Sequence, residues 1–108
     1  MDTHAVLKAL GEPMRFKIFS CLLERKHCVR SLSKKLGITE SAISQHLKVM
    51  READMIYGEK YGYHTHYLPK QEILDGLVEL FKAMQQQSVT LDRDMTVCQC
   101  EYREEESK

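Results

Sequence analysis

Apolar residues return every three or four positions along most of the chain, and the breaks in that rhythm divide it into helices and one extended hairpin. Ala5, Val6, Leu7, Ala9 and Leu10 form a short amphipathic run that stops at Gly11, a residue suited to a left-handed helix terminus. Pro13 fits the first turn of a second helix, where its missing N–H costs nothing. Met14, Ile18, Cys21 and Leu22 then repeat at helical spacing up to Glu24, Arg25 and Lys26. A third helix follows His27, with Val29, Leu32 and Leu36 inward, Ser31, Lys34 and Lys35 outward, and Gly37 as its stop. Thr39 caps a fourth helix, Glu40 complements its positive end, and the run continues to about Ala53. Two helices joined only by Gly37, Ile38 and Thr39 predict a helix-turn-helix.

The pattern then changes period. Ile56 to Lys60 and Tyr63 to Leu68 are rich in Tyr, His and Thr and meet near Tyr61 and Gly62, which predicts a β-hairpin, or wing. Pro69 ends it. In the last helix Ile73, Leu74, Leu77, Val78, Leu80, Phe81 and Met84 cover an arc of about 160°, wider than one groove of a small domain buries. A second copy of the chain is the simplest cover, so a homodimer is expected, with the apolar first helix joining the same interface. The expected fold is mainly α with a β-hairpin wing: a dimeric winged helix-turn-helix over residues 1–88. Residues 89–108 form an acidic, cysteine-containing tail.

Composition sharpens this picture. The chain has 108 residues, 43% hydrophobic and 30% charged, enough for the core of one soluble domain and too apolar for disorder. Its net charge of zero hides a division: residues 1–70 carry an excess of five positive charges and residues 71–108 an excess of five negative ones. Only the first part is suited to meet a polyanion. No apolar stretch is long enough to span a bilayer and the first residues lack the form of a secretion signal. A cytoplasmic protein with no membrane partner is therefore expected, with its four cysteines reduced.

On a helical wheel the fourth helix turns Ile43, Leu47, Met50 and His46 toward the core and Ser41, Ser44, Gln45 and Lys48 away from it. The outward stripe is small, polar and basic, with no carboxylate, and suits a DNA groove.

Several segments resemble the ArsR-type family of winged-helix metalloregulators. Leu7-Lys-Ala-Leu-Gly-Glu-Pro-Met-Arg-Phe-Lys-Ile is similar to that family's opening pattern. Leu36-Gly-Ile-Thr-Glu-Ser-Ala-Ile-Ser-Gln-His-Leu-Lys-Val-Met-Arg-Glu-Ala-Asp-Met-Ile resembles its helix-turn-helix, and the hairpin ending at Tyr67 and Leu68 its wing. Together these span roughly residues 5–80. The resemblance implies a dimeric repressor that binds a twofold operator in double-stranded DNA and releases it when a metal or other signal arrives. Many arsenic- and cadmium-responsive members carry Cys-Val-Cys at the start of the helix-turn-helix. Here the matching stretch is His27-Cys28-Val29-Arg30, with one thiolate. Zinc- and cobalt-type members carry Asp and His ligands on the last helix, and this sequence has no His after His66.

The expected DNA-binding set is then Gln45, able to make a bidentate contact with adenine, Ser41 and Ser44 toward bases or phosphates, and Lys48 toward phosphate. Thr39 stands at the helix start, and Lys34, Lys35, Lys60, Tyr61 and Tyr63 add backbone contacts. For a signal, Cys98 and Cys100 in a polar tail offer the soft thiolates that As(III), Cd(II), Pb(II) or Zn(II) seek. Cys28 is the expected third ligand and His27 an extra donor. Cys21, on the apolar side of its helix, is assigned to the core. His64 and His66 share one strand face and read as surface residues. A thiol-redox or sulfide-responsive repressor of the same fold is the alternative, and a winged helix that binds protein is a third reading. No nucleophile-base set, phosphate loop or paired carboxylates suggests an enzyme.

Overall fold

The computed structural model describes residues 1–100; residues 101–108, the end of the expected tail, lie outside the described residues. The elements run α1 (Thr3–Leu10), α2 (Pro13–Glu24), α3 (Val29–Leu36), α4 (Glu40–Glu52), β1 (Ile56–Tyr61), β2 (His64–Pro69) and α5 (Gln71–Val89). Val6, Ile18, Leu32, Ile43, Leu47, Met50 and Met55 are fully buried, so α1 to α4 and the root of the hairpin share one core. Ile73 and Leu77 join it from the start of α5.

Helix starts follow capping chemistry. Asp2 accepts from the N–H of Ala5, Glu12 from that of Arg15 and Thr39 from that of Ala42, each satisfying a donor that the helix itself leaves open. Helix ends differ more. Gly37 takes the left-handed conformation expected of it, at φ +71°. Gly11 does not: its φ is −74°. Its N–H bonds to the carbonyls of Leu7 and Lys8, and Arg15 Nε donates to the carbonyl of Ala9 at 2.9 Å. These contacts satisfy the end of α1 without a left-handed residue.

The end of α4 holds a residue that the sequence pattern does not flag. Asp54 has φ +62°, and among the described residues no other non-glycine has positive φ. The N–H of Met55 bonds to the carbonyl of Met50 at 3.0 Å and that of Asp54 to Arg51 at 2.9 Å. These two bonds form a Schellman terminus with aspartate in the place glycine usually takes.

The strands pair antiparallel from Ile56 opposite Pro69 to Tyr61 opposite His64. That register leaves a two-residue turn, so Tyr63 stands in the turn and not in the strand where it was expected, and Tyr61 is the last residue of β1. Only Gly62 of the turn pair has positive φ, the requirement of a type II′ hairpin. His27 adds a further backbone link, accepting from the N–H of Tyr67 at 2.8 Å, so the start of the helix-turn-helix is stitched to the wing.

Helix α5 leaves the body after its first turns. Leu74 and Leu80 are half-buried, but Val78, Phe81 and Met84 stay 51–55% exposed although apolar. Val78 and Phe81 border an open groove of about 560 Å³ that Leu74, Leu77, Lys82 and Gln85 also line. The shape is elongated, 63 × 25 × 24 Å. Met1 folds back over Gly76, where a side chain would collide with its sulfur, and so brings the start of the chain against α5. No helix of the described residues is long and apolar enough to cross a membrane.

Candidate nucleic-acid interface

The turn between α3 and α4 is held from both sides. Ser33 Oγ donates to the carbonyl of Ile38 at 2.6 Å, and Thr39 caps α4 immediately afterwards. Leu32 of α3 is fully buried, as are Ile43, Leu47 and Met50 of α4. This packing fixes the rotation of α4 about its own axis. Ser41, Ser44, Gln45 and Lys48 are all exposed, on the face opposite the core. His46 is half-buried at the edge, its Nδ1 3.9 Å from Glu12 Oε1.

Around this stripe Lys34 and Lys35 are exposed, Lys35 lying 3.7 Å from Glu24, a separation and exposure at which an ion pair adds little. Thr39 is exposed, although its hydroxyl is engaged by the cap. On the wing Lys60 is exposed, Tyr61 75% exposed, and Tyr63 fully exposed at the tip. The ring of Tyr61 stacks on His66, centroids 6.0 Å apart, which orients it. His66 is not among the residues expected in this group; its position on the face shared with Tyr61 follows from period-2 alternation in the observed register.

Ser31 differs from expectation. It is half-buried instead of outward, because its hydroxyl is hydrogen-bonded to Nδ1 of His27. His27 is itself buried, with Nε2 enclosed and unpartnered. Burial, then the charges of Lys35 and Arg25, hold its pKa below the ordinary 6.5 against the opposing charge of Glu24, and His66 lowers it further by a lesser amount. A ring so enclosed is part of the joint between α3 and the wing and is not presented as a donor to an incoming ion.

The cysteines divide by environment. Cys21 is buried in the core, as expected. Cys28 is half-buried at the N-cap of α3, where its side chain makes no capping hydrogen bond. Cys98 and Cys100 are exposed beyond α5. The segment before them is locally ordered: Arg93 donates to the carbonyl and hydroxyl of Ser88 at 2.8 and 2.7 Å, and Asp94 accepts from the N–H and hydroxyl of Thr96. Among the described residues, no three His, Cys, Asp or Glu side chains of one chain converge as a metal site. Gathering Cys28, Cys98 and Cys100 requires movement of the tail or a second chain.

Residues 12–57, which hold α2, α3, α4 and the first strand residues, match the family described as bacterial regulatory protein, arsR family. The chain is 35% identical over 72 residues to the arsenical resistance operon repressor of Bacillus subtilis, covering 66% of this chain and 69% of that one. It is 36% identical over 62 residues to the transcriptional repressor SmtB of Mycobacterium tuberculosis, covering 57% of this chain and 46% of that protein, so it spans about half of that relative's length. The solved structure of reduced HlyU from Vibrio cholerae superposes with a TM-score of 0.64 at 27% identity, over 76% of this chain and 86% of that one. HlyU of that species is named a transcriptional activator.

Proposed function

The chain belongs to the arsR family of bacterial regulatory proteins, a family of regulators and not of enzymes, and from that premise we propose that it is a homodimeric repressor of transcription. It inserts the exposed face of α4 into the major groove of operator DNA. The observation that carries this reading is the division of α4 into a buried face of Ile43, Leu47 and Met50 and an exposed stripe of Ser41, Ser44, Gln45 and Lys48, which meets a carboxylate only at Glu52, the last residue of the helix. Such a stripe presents a bidentate amide to adenine and a cation to phosphate, while Lys34, Lys35, Lys60, Tyr61 and Tyr63 hold the flanking backbone. Two copies pair through the uncovered face of α5, with α1 alongside, and set the reading helices on successive grooves of a twofold site.

The signal in this reading is a thiophilic metal or metalloid ion, As(III) or Cd(II) first, taken by Cys28, Cys98 and Cys100 in a cytoplasm that keeps thiols reduced. Binding expels DNA only through a higher affinity for the DNA-free arrangement. A coupling of about 1–3 kcal/mol weakens operator binding some 5–150-fold. Because Cys28 opens α3, drawing the tail thiolates to it acts at the root of the helix-turn-helix.

Titrating reduced protein with As(III), Cd(II), Pb(II) or Zn(II) in the presence of an operator duplex tests both parts. Salt-sensitive binding that is lost on adding metal, and metal insensitivity in Cys98→Ser with Cys100→Ser, is the expected result. Release by oxidant with no metal uptake identifies the thiol-redox repressor instead, and the absence of any duplex binding ends the DNA reading.

A further inference from the structure

We propose that Asp54 and Lys70 form a clamp that fixes the angle between the reading helix α4 and the pairing helix α5, and thereby the half-site spacing the dimer accepts. This rests on the reading of the chain as a paired DNA-binding protein. Asp54 lies two residues past the end of α4, just after its C-cap Ala53, and Lys70 is the N-cap of α5. The Lys70 ammonium donates to Oδ1 of Asp54. The N–H of Lys70 bonds to the carbonyl of Met55 at 2.9 Å, extending the hairpin ladder one step past Ile56 and Pro69. One backbone bond and one ion pair therefore connect two helices that the hairpin separates in sequence.

The backbone at Asp54 is itself unusual, with φ +62°. A left-handed Schellman terminus favours glycine, and a non-glycine there carries a cost that persists where its side chain makes a compensating contact. Asparagine and aspartate bear that cost best. At Asp54 the contact is Lys70, and a glycine would leave it unmade.

Geometry gives the clamp leverage. Among the described residues, the α5 side chains that join or pack against the buried core are Ile73, Leu74 and Leu77, all within its first two turns. Helix α4 reaches about 20 Å from the clamp. A tilt of about 5° at its base therefore carries its first turn nearly 2 Å, and the twofold doubles that displacement. The rise of one base pair is about 3.4 Å.

The experiment selects duplexes from a random pool with the wild-type chain, then varies the separation of the two half-sites in single base-pair steps and measures affinity by anisotropy. Variants are Asp54→Gly, Asp54→Asn, Lys70→Gln and Lys70→Arg. We expect wild type to prefer one spacing and the Gly, Asn and Gln variants to lose about two- to fivefold of that preference, the range open to an exposed ion pair. Lys70→Arg, which keeps the pair, retains it. The thermal midpoint of Asp54→Gly stays close to that of wild type, since glycine adopts the conformation without strain. Unchanged spacing preference in all four variants, with DNA binding intact, overturns the clamp and leaves the DNA reading standing. Failure of the wild type to select any twofold duplex overturns both.

Discussion

At the scale of single residues, the stripe on α4 assigns different work to neighbours. Gln45→Ala should cost about 1–3 kcal/mol against the preferred base and relax sequence preference at one position of each half-site. Lys48→Ala should weaken binding to all sequences alike and lower the salt slope by about one. Anisotropy with base-substituted duplexes at several salt concentrations separates the two. His27 gives a prediction about stability. Its folded pKa lies below 6.5, so the ring is neutral when folded, and below about pH 6.5 the unfolded chain binds a proton that the folded chain refuses. Its contribution is complete above that pH and is lost as pH falls toward the lower folded value. Lys35, Arg25 and His66 reinforce the loss and Glu24 opposes it. Melting wild type and His27→Gln between pH 7.5 and pH 5.5 should show the steeper decline in wild type. A ring that titrates by NMR at or above 6.5 would refute the assignment.

At the scale of elements, Gly11 and Gly37 show what sequence could and could not reveal. Both follow an apolar run and carry the same signal, yet only Gly37 is left-handed. The difference lies in Arg15, whose reach back to Ala9 is a tertiary contact that no local pattern contains. Gly37→Ala should accordingly destabilise the fold by about 1 kcal/mol in denaturant melts, a backbone cost alone, because nothing lies within 4 Å of the added methyl. The faces of α3 and α4 were legible because 3.6-residue periodicity fixes a helix's rotation, as the exposure of Gln45 and burial of Ile43 show. The wing was legible as a hairpin, but its register was not, and Tyr63 moved from strand to turn in consequence. The bridge from His27 to Tyr67 and the ion pair from Asp54 to Lys70 join residues far apart in sequence, which periodicity cannot pair.

For the whole molecule, the wide apolar stripe of α5 is legible from its arc, and the structure leaves Val78, Phe81 and Met84 of it without cover. Phe81→Glu should hold the chain as single subunits in sedimentation at concentrations where wild type pairs, since pairing would bury an unpaired carboxylate. The three thiols show the opposite case: their residue types suggest a site, but one chain does not gather them, so that reading depends on motion or on a neighbour.

The same uncovered helix bears on dosage. If each operator takes two chains, then below the concentration at which they associate, occupancy follows the square of their abundance. A halving of cellular copies would thin the bound population about fourfold, so modest changes in synthesis or turnover could open the regulated promoter before any inducer arrives.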